Sequence, residues 1–525
     1  MKDTLYRSTR SNADFVSASK AILEGIAPDG GLYVPDHMPK ISDMSESLGL
    51  GAAPEDFLSI AKRRNEVLKY LADCDYKKIA FEVLKLFFTD FDDDEILACV
   101  DAAYDNKFDT QEIALIVKKG GVFYLELFHG PTLAFKDMAL SLLPHLITAS
   151  AKKQQVNDEI VILTATSGDT GKAALSGFAD VPGTKIIVFY PNDGVSSIQK
   201  LQMVTQPGSN VKVIGIEGNF DDAQTGVKSI FADKELNAQL KERGYRLSSA
   251  NSINIGRLIP QVAYYVWAYT RLVSEGVIAA GTIINLTVPT GNFGNILAAY
   301  YAKQMGVPIK ALVCASNKNK VLYDFFTTGT YDKNREFYTT SSPSMDILVS
   351  SNLERLIFEI TGNDPERCSS LMNSLKETGE YTLSAAERFK LRTFTAAYAS
   401  EEDTLMEIKR VYNETGYVID PHTAVASSAA NYFDAESVDL ACGTTSDFHM
   451  LVVATASPFK FNRAVLSAIA PQYISDDDFS MADSLSLLAK KPVPEEVKML
   501  KDAPILHKDV CTAGQMKDKV LEYLN

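Results

Sequence analysis

Cysteine is scarce. There are six in 525 residues, at positions 74, 99, 314, 368, 442 and 511, with no C-x-x-C pair and no Cys/His cluster. Such spacing excludes a disulfide framework and a structural zinc site. Long hydrophobic runs are missing as well. No apolar stretch approaches the roughly 20 residues of a membrane-spanning helix. Residues Met1–Phe15 lack the apolar core of a secretory signal. The expectation is a soluble, cytoplasmic protein. Nor is there an excess of positive charge: 52 Lys and Arg face 67 Asp and Glu, a net charge of −15. An acidic chain has no electrostatic attraction to phosphate backbones or anionic lipid, so neither nucleic acid nor membrane is an expected partner. A local basic pocket for a small anion is compatible with this balance.

What is present describes a globular chain. Hydrophobic residues make up 46% and charged residues 23%, enough apolar surface to offset chain entropy. The length predicts two or three domains. Residues 1–120 read as a mixed, mainly helical region, with helical patterns over 55–88 and 94–105. Asp90, Asp92 and Asp94 have the spacing of a calcium loop. Glu95 stands where that loop needs glycine, so a capped, acidic helix start is the better reading. From residue 120 short β-branched runs alternate with helical stretches: Ile160–Thr164, Lys185–Tyr190, Val211–Ile216, Thr282–Val288, Ile309–Ala315 and Met450–Ala454. That rhythm predicts an α/β core of parallel strands joined by helices, with ligands at the carboxyl ends of the strands. Helices are predicted over Leu383–Ala399 and Glu401–Thr415, and the polar tail from Ile474 ends in a short helix.

Four turns carry candidate chemistry. Thr164–Lys172 follows a strand and leads into a helix, and its hydroxyls and free N–H groups suit an anion. A Walker A loop fails there: Ala173 follows Lys172, and Thr166 occupies the place of the first glycine. The turn Pro289–Asn295 has glycines three apart, Gly291 and Gly294, so its backbone can curl around a phosphate. In Leu127–Asp137 a Gly-Pro turn precedes Lys136 at the start of an apolar helix, a setting that depresses a lysine pKa and suits an amine nucleophile. Ser248–Arg257 is rich in donors and ends in a guanidinium, which suits a second anion. Alone, Thr164–Lys172 reads about equally well as a capped helix start, Pro289–Asn295 reads better as a tight structural turn, a lone lysine is usually a solvated charge, and Ser248–Arg257 also reads as a polar loop with a surface arginine. Together they suit a phosphorylated cofactor and a phosphorylated substrate in one cleft.

In this combination the sequence resembles the threonine synthase family, in its long form, among the fold-type II pyridoxal-phosphate (PLP) enzymes. The matching segments run from Gly30–Pro35 to Ala454–Phe461, and include His129–Asp137, Ser167–Gly171, Gly291–Asn295 and the Asn251-Ser252-x4-Arg257 spacing. The resemblance implies a tryptophan synthase β-like α/β fold with parallel-type sheets flanked by helices. It implies that Lys136 forms the Schiff base with PLP, and that Gly291, Asn292, Phe293, Gly294 and Asn295 hold the cofactor phosphate. Thr455 would face the pyridine nitrogen, and Asp169 would lie near the 3′-oxygen. Ser167, Gly168 and Thr170 would grip the substrate carboxylate, and Asn251, Ser252 and Arg257 the substrate phosphate. Two departures stand out: short-form relatives carry Asn at the place of Asp169, and several long-form relatives carry His at the place of Ser457. For His129 and His422 a structural role is expected, since the lysine can serve as base.

The implied reaction converts O-phospho-L-homoserine and water into L-threonine and phosphate. A PLP-dependent phospho-lyase yielding a 2-oxo acid and a catalytically silent relative are the alternatives. The implied working unit is a monomer or homodimer. The domain division expected is 1–120 as an N-terminal mixed and helical domain, 121–154 with 281–525 as a large PLP-binding domain, and 155–280 as a small mobile α/β domain carrying the substrate loops.

Overall fold

The apolar runs become strands. The computed structural model describes residues 3–12, 14–52, 56–166, 168–192, 195, 197–440 and 449–524. Its strands are β1 (Tyr6–Ser8), β2 (Tyr33–Pro35), β3 (Leu115–Lys119), β4 (Val122–Glu126), β5 (Glu159–Ala165), β6 (Thr184–Pro191), β7 (Val211–Glu217), β8 (Tyr245–Ser248), β9 (Ile284–Pro289), β10 (Ile309–Ser316), β11 (Thr330–Asp332), β12 (Glu380–Thr382), β13 (Phe394–Tyr398), β14 (His449–Ala454) and β15 (Asp509–Thr512). Two sheets dominate. The larger has the order β13-β10-β9-β14-β4-β3 and is parallel apart from β3 at its edge. The smaller, β15-β7-β6-β5-β8, is parallel throughout. Every residue of β9 is buried, which explains why its sequence is a continuous apolar run without alternation.

Helices connect and cover the sheets. Those that build the site are α1 (Asp169–Phe178), α2 (Ser197–Val204), α3 (Ile255–Ser274), α4 (Gly294–Met305), α5 (Leu353–Ile360) and α6 (Pro421–Leu440). In α3 the residues from Ile255 to Thr270 are all buried. A helix that is apolar all round belongs inside the protein. Asn254 caps it by accepting from the Gly256 N–H at 2.8 Å. The acidic stretch near residue 92 is a cap, as expected: Asp92 precedes the helix Asp93–Ala103, and the Glu95 side chain accepts from the Asp92 N–H at 2.9 Å. Among the described residues no helix is long and apolar enough to cross a membrane.

Three segments depart from the sequence reading. The helix expected over Leu383–Ala399 is only Ala385–Phe389, followed by a 3-10 turn at Lys390–Thr393 and then by β13. Phe394, Thr395 and Tyr398 favour a pleated strand, and pairing with β10 outweighs the helix propensity of the alanines. The tail does not stay with the large sheet: β15 pairs with β7 in the smaller one. Conversely, β3, which lies before residue 120, pairs with β4 in the larger sheet. A four-residue strand in a polar tail and an edge hairpin both leave too little periodicity to assign from sequence.

Candidate active site

The turn after β4 presents Lys136. Gly130 is required there, since a Cβ would sit 2.6 Å from the Asp137 Cβ. The Asp137 carboxylate folds back to accept from the Thr132 N–H at 2.8 Å and the Thr132 hydroxyl at 2.5 Å. The Phe135 N–H donates to the Thr455 carbonyl at 2.8 Å, which fastens the turn to the end of β14. Lys136 is thereby buried at the carboxyl ends of the large sheet. Its Nζ lies 3.2 Å from Asp169 Oδ2 and 3.2 Å from Ser344 Oγ. Burial lowers the proton affinity of this amine below that of an ordinary lysine, against the opposing pull of Asp169.

Asp169 begins α1, directly after β5 of the smaller sheet. The Thr166 hydroxyl shapes the turn by accepting from the N–H groups of Gly168 at 3.0 Å and Gly171 at 2.9 Å. Gly168 has φ +141°, and a Cβ there would come 2.6 Å from the Gln199 amide. Gln199 Nε2 donates to Asp169 Oδ1 at 3.0 Å, and Lys460 Nζ lies 2.6 Å from the same oxygen. Burial alone would raise this carboxyl, but Lys460 and Lys136 hold it well below the usual range. Ser167 lies outside the described residues. Thr170 follows in the first turn of α1 and is half-buried. Lys172, one turn further, is pushed down to about 8 by burial and donates to Gln206 Oε1 at 2.5 Å.

The turn after β9 is a cradle of backbone. Phe293 takes a left-handed conformation, φ 63°, and α4 begins at Gly294. A Cβ at Gly291 would fall 2.6 Å from the Ser344 carbonyl oxygen. The Asn292 carbonyl accepts from both the N–H and Nδ2 of Asn352, at 3.1 and 3.0 Å. Asn295 Oδ1 accepts from the hydroxyls of Tyr264 at 2.7 Å and Tyr265 at 2.5 Å, while its buried Nδ2 has no partner among the described residues. Thr455, directly after β14, is buried.

The fourth loop leads into α3. Asn251 Oδ1 accepts from the Thr164 hydroxyl at 3.1 Å, and Ser252 Oγ lies 3.4 Å from Asn352 Nδ2. Arg257 is 3% exposed, in the first turn of α3. One of its terminal nitrogens donates to the Ala250 carbonyl at 2.8 Å, but its buried Nε has no partner among the described residues. Among the described residues no carboxylate pairs with it, and burial pushes its pKa down to about 10. A buried guanidinium without a counter-charge is costly unless an anion comes to it.

The structure thus brings Lys136 against Asp169 and Ser344, Ser344 against Gly291, and Asn292 to Ser252 through Asn352, with Arg257 near enough to Lys136 to bear on its charge. It also adds residues that the sequence reading missed. Asn352 joins the Asn292 turn to Ser252. Arg355 donates to the carbonyls of Tyr33 at 2.9 Å and Ile253 at 2.5 Å, and pairs with Asn352 Oδ1. Nothing in a local motif marks these two, because their partners are remote in sequence. The Ser344 N–H donates to His422 Nε2 at 3.1 Å, and His422 Nδ1 pairs with Asp420 at 2.7 Å, so His422 holds the Ser344 loop. His129 lies between Asp109 at 2.6 Å and Glu126 at 3.0 Å. Ser457 caps the turn before Lys460, its hydroxyl 3.4 Å from the Phe459 N–H.

A buried lysine in a turn at the carboxyl ends of a largely parallel sheet, beside a glycine-containing turn at a helix start, is an arrangement of the cofactor-dependent α/β enzymes. Residues 115–440 match the family model "Pyridoxal-phosphate dependent enzyme", and residues 5–50 match "Threonine synthase N terminus". Threonine synthase from Pseudomonas aeruginosa is 36% identical, with 88% of this chain and 90% of that protein covered. The crystal structure of PLP-bound threonine synthase from Brucella melitensis superposes with a TM-score of 0.81 at 33% identity, covering 100% of both chains. The fold is therefore that of the fold-type II PLP enzymes, and the chain belongs to the threonine synthase family. Threonine synthase-like 1 from Homo sapiens is 39% identical over 88% of this chain, which spans 59% of that protein's length.

Proposed function

We propose that the protein converts O-phospho-L-homoserine and water into L-threonine and phosphate with PLP as cofactor. The observation that carries this reading is Arg257: a buried guanidinium whose Nε has no partner among the described residues, near the buried Lys136 and separate from the glycine-containing turn that we read as the cofactor's phosphate site. One phosphate accounts for one cradle, so the second anion site points to a phosphorylated substrate.

The residues present fit the cofactor. The orphaned Asn295 Nδ2 and the amino end of α4, whose first N–H groups lack intrahelical partners, suit its phosphate. When bound, PLP supplies an electron sink that makes the substrate Cα–H acidic. In our reading Gly291, Asn292, Phe293, Gly294 and Asn295 bind the cofactor phosphate. Thr455 offers a neutral hydroxyl to the ring nitrogen and Asp169 lies at the 3′-oxygen. Lys136 carries the cofactor at rest and, released by the substrate amine, moves the Cα proton. Ser167, Gly168 and Thr170 orient the substrate carboxylate. Asn251, Ser252 and Arg257 hold the substrate phosphate and steady it as it leaves.

The test is phosphate release. Purified protein loaded with PLP should release phosphate from O-phospho-L-homoserine, and protein stripped of PLP should not. No release from the loaded protein would support the catalytically silent alternative and overturn the proposal.

A further inference from the structure

Lys460 lies in the turn after β14, and its side chain is fully enclosed. Its Nζ is 2.6 Å from Asp169 Oδ1 and donates to the Thr132 carbonyl at 2.8 Å. The other Asp169 oxygen faces Lys136 Nζ at 3.2 Å and Ser344 Oγ at 3.3 Å. One buried carboxylate is therefore held between two buried ammoniums. Lys136 and Lys460 come from turns of the large sheet, whereas Asp169 follows β5 of the small one. The remaining charged groups around this cluster are accounted for. Asp137 is engaged by Thr132, Lys172 by Gln206, and Arg257 approaches from α3. His422 stands behind the Ser344 backbone.

We propose that Lys460 is a positioning residue that fixes Asp169 as a carboxylate and so sets how firmly the Lys136 nitrogen holds a proton. The inference rests on the reading that Lys136 carries the cofactor. Its physical basis is the balance of two charges on opposite sides of one group. A nearby anion favours the protonated nitrogen and a nearby cation disfavours it. With Lys460 in place, most of the Asp169 charge is compensated. Without it, the full carboxylate acts on Lys136 across 3.2 Å within the buried site. Without Asp169, Lys460 is the uncompensated charge, and the effect reverses. Removing both takes away the anion and its compensating cation together, so their opposed effects on Lys136 largely cancel.

The experiment uses the holoprotein and follows the absorption spectrum of the cofactor bound at Lys136 as pH is varied. Lys460→Met should raise the midpoint by about one to two pH units, and Asp169→Asn should lower it by a similar amount. The double variant Lys460→Met/Asp169→Asn should return to within about half a unit of the parent, and Lys460→Arg should stay near the parent. An unchanged midpoint in Lys460→Met overturns the inference. If Lys460→Met fails to fold, as judged by circular dichroism, the double variant decides. A folded double variant with a parental midpoint supports the charge-balance role, and a double variant as unfolded as the single one reduces Lys460 to packing. Borohydride reduction that labels a lysine other than Lys136 would bring down the cofactor assignment itself, and the inference with it.

Discussion

Lys136 Nζ lies 3.2 Å from Asp169 Oδ2, and this contact joins the turn after one sheet to the first turn of the helix after the other. Both groups are buried, so neither charge is screened by bulk water. An amine destabilised as a cation by burial, yet held by one carboxylate, gives up its proton more readily than an ordinary lysine, which suits a nucleophile and a base. Lys136→Ala should abolish turnover and still bind PLP without a covalent link. Spectrophotometric titration with PLP, followed by borohydride and peptide mapping, checks this. Full activity in the variant would refute the role of Lys136.

Arg257 is expected to serve the substrate rather than the cofactor. Hydrogen bonds to charged groups contribute about 1.5–3 kcal/mol, so Arg257→Ala should lower kcat/KM for O-phospho-L-homoserine by roughly 10- to 150-fold. Lys at this position keeps the charge but loses the planar fork and should recover only part of the loss. Equilibrium dialysis with PLP should give parental affinity. Loss of PLP with normal substrate handling would mean that the two anion sites have been exchanged.

Gly168 is expected to tolerate no side chain. Its φ of +141° belongs to glycine, and a Cβ would press on the Gln199 amide that holds Asp169. Backbone strain of this kind costs about 1–3 kcal/mol. Gly168→Ala should therefore melt at a lower temperature and raise KM for the amino-acid substrate. A parental melting curve together with parental KM would count against this account of the turn.

His129 makes stability depend on pH. Burial pulls its pKa down, but the hydrogen bonds to Asp109 and Glu126 outweigh that and raise it to about 9, from 6.5. A group whose folded pKa is raised stabilises fully below its unfolded pKa and loses that contribution as pH climbs through the folded one. The advantage of the parent over His129→Gln should thus be largest below pH 6.5 and shrink as pH rises through about 9. It should amount to no more than about 3 kcal/mol, reduced by the half-exposed position of Asp109. Urea denaturation at a series of pH values measures the gap. A gap that grows with pH would contradict the assignment.

Much of this was legible in the sequence. Buried parallel strands announce themselves as unbroken β-branched runs, and β5, β6, β7, β9, β10 and β14 all lie within a residue or two of where those runs stand. The Gly-rich turns and Lys136 could be read because the chemistry sits within single segments. Lys460, Asn352, Ser344 and Gln199 could not. Each acts on a residue far away in the chain, and a lysine in a Pro-Phe-Lys turn looks like any other until the fold seals it against Asp169. β13 was missed because alanine-rich sequence favours a helix locally, while an edge of the large sheet was available to pair with it.

The two sheets also bear on dynamics. We propose that the smaller sheet, β15-β7-β6-β5-β8, with the helices that cover it closes over the substrate and excludes water until phosphate has left. Crystals grown with and without a non-hydrolysable phosphonate analogue should differ in the orientation of the sheets. The same orientation in both would rule out closure.

The central claim is tested most directly by the organic product that accompanies each phosphate released from O-phospho-L-homoserine. Threonine, 2-oxobutanoate and phosphate should be measured in the same reaction mixture. The account predicts threonine and phosphate in equal amounts, with little 2-oxobutanoate. Phosphate matched by 2-oxobutanoate and not by threonine would contradict it and identify a phospho-lyase built on the same site.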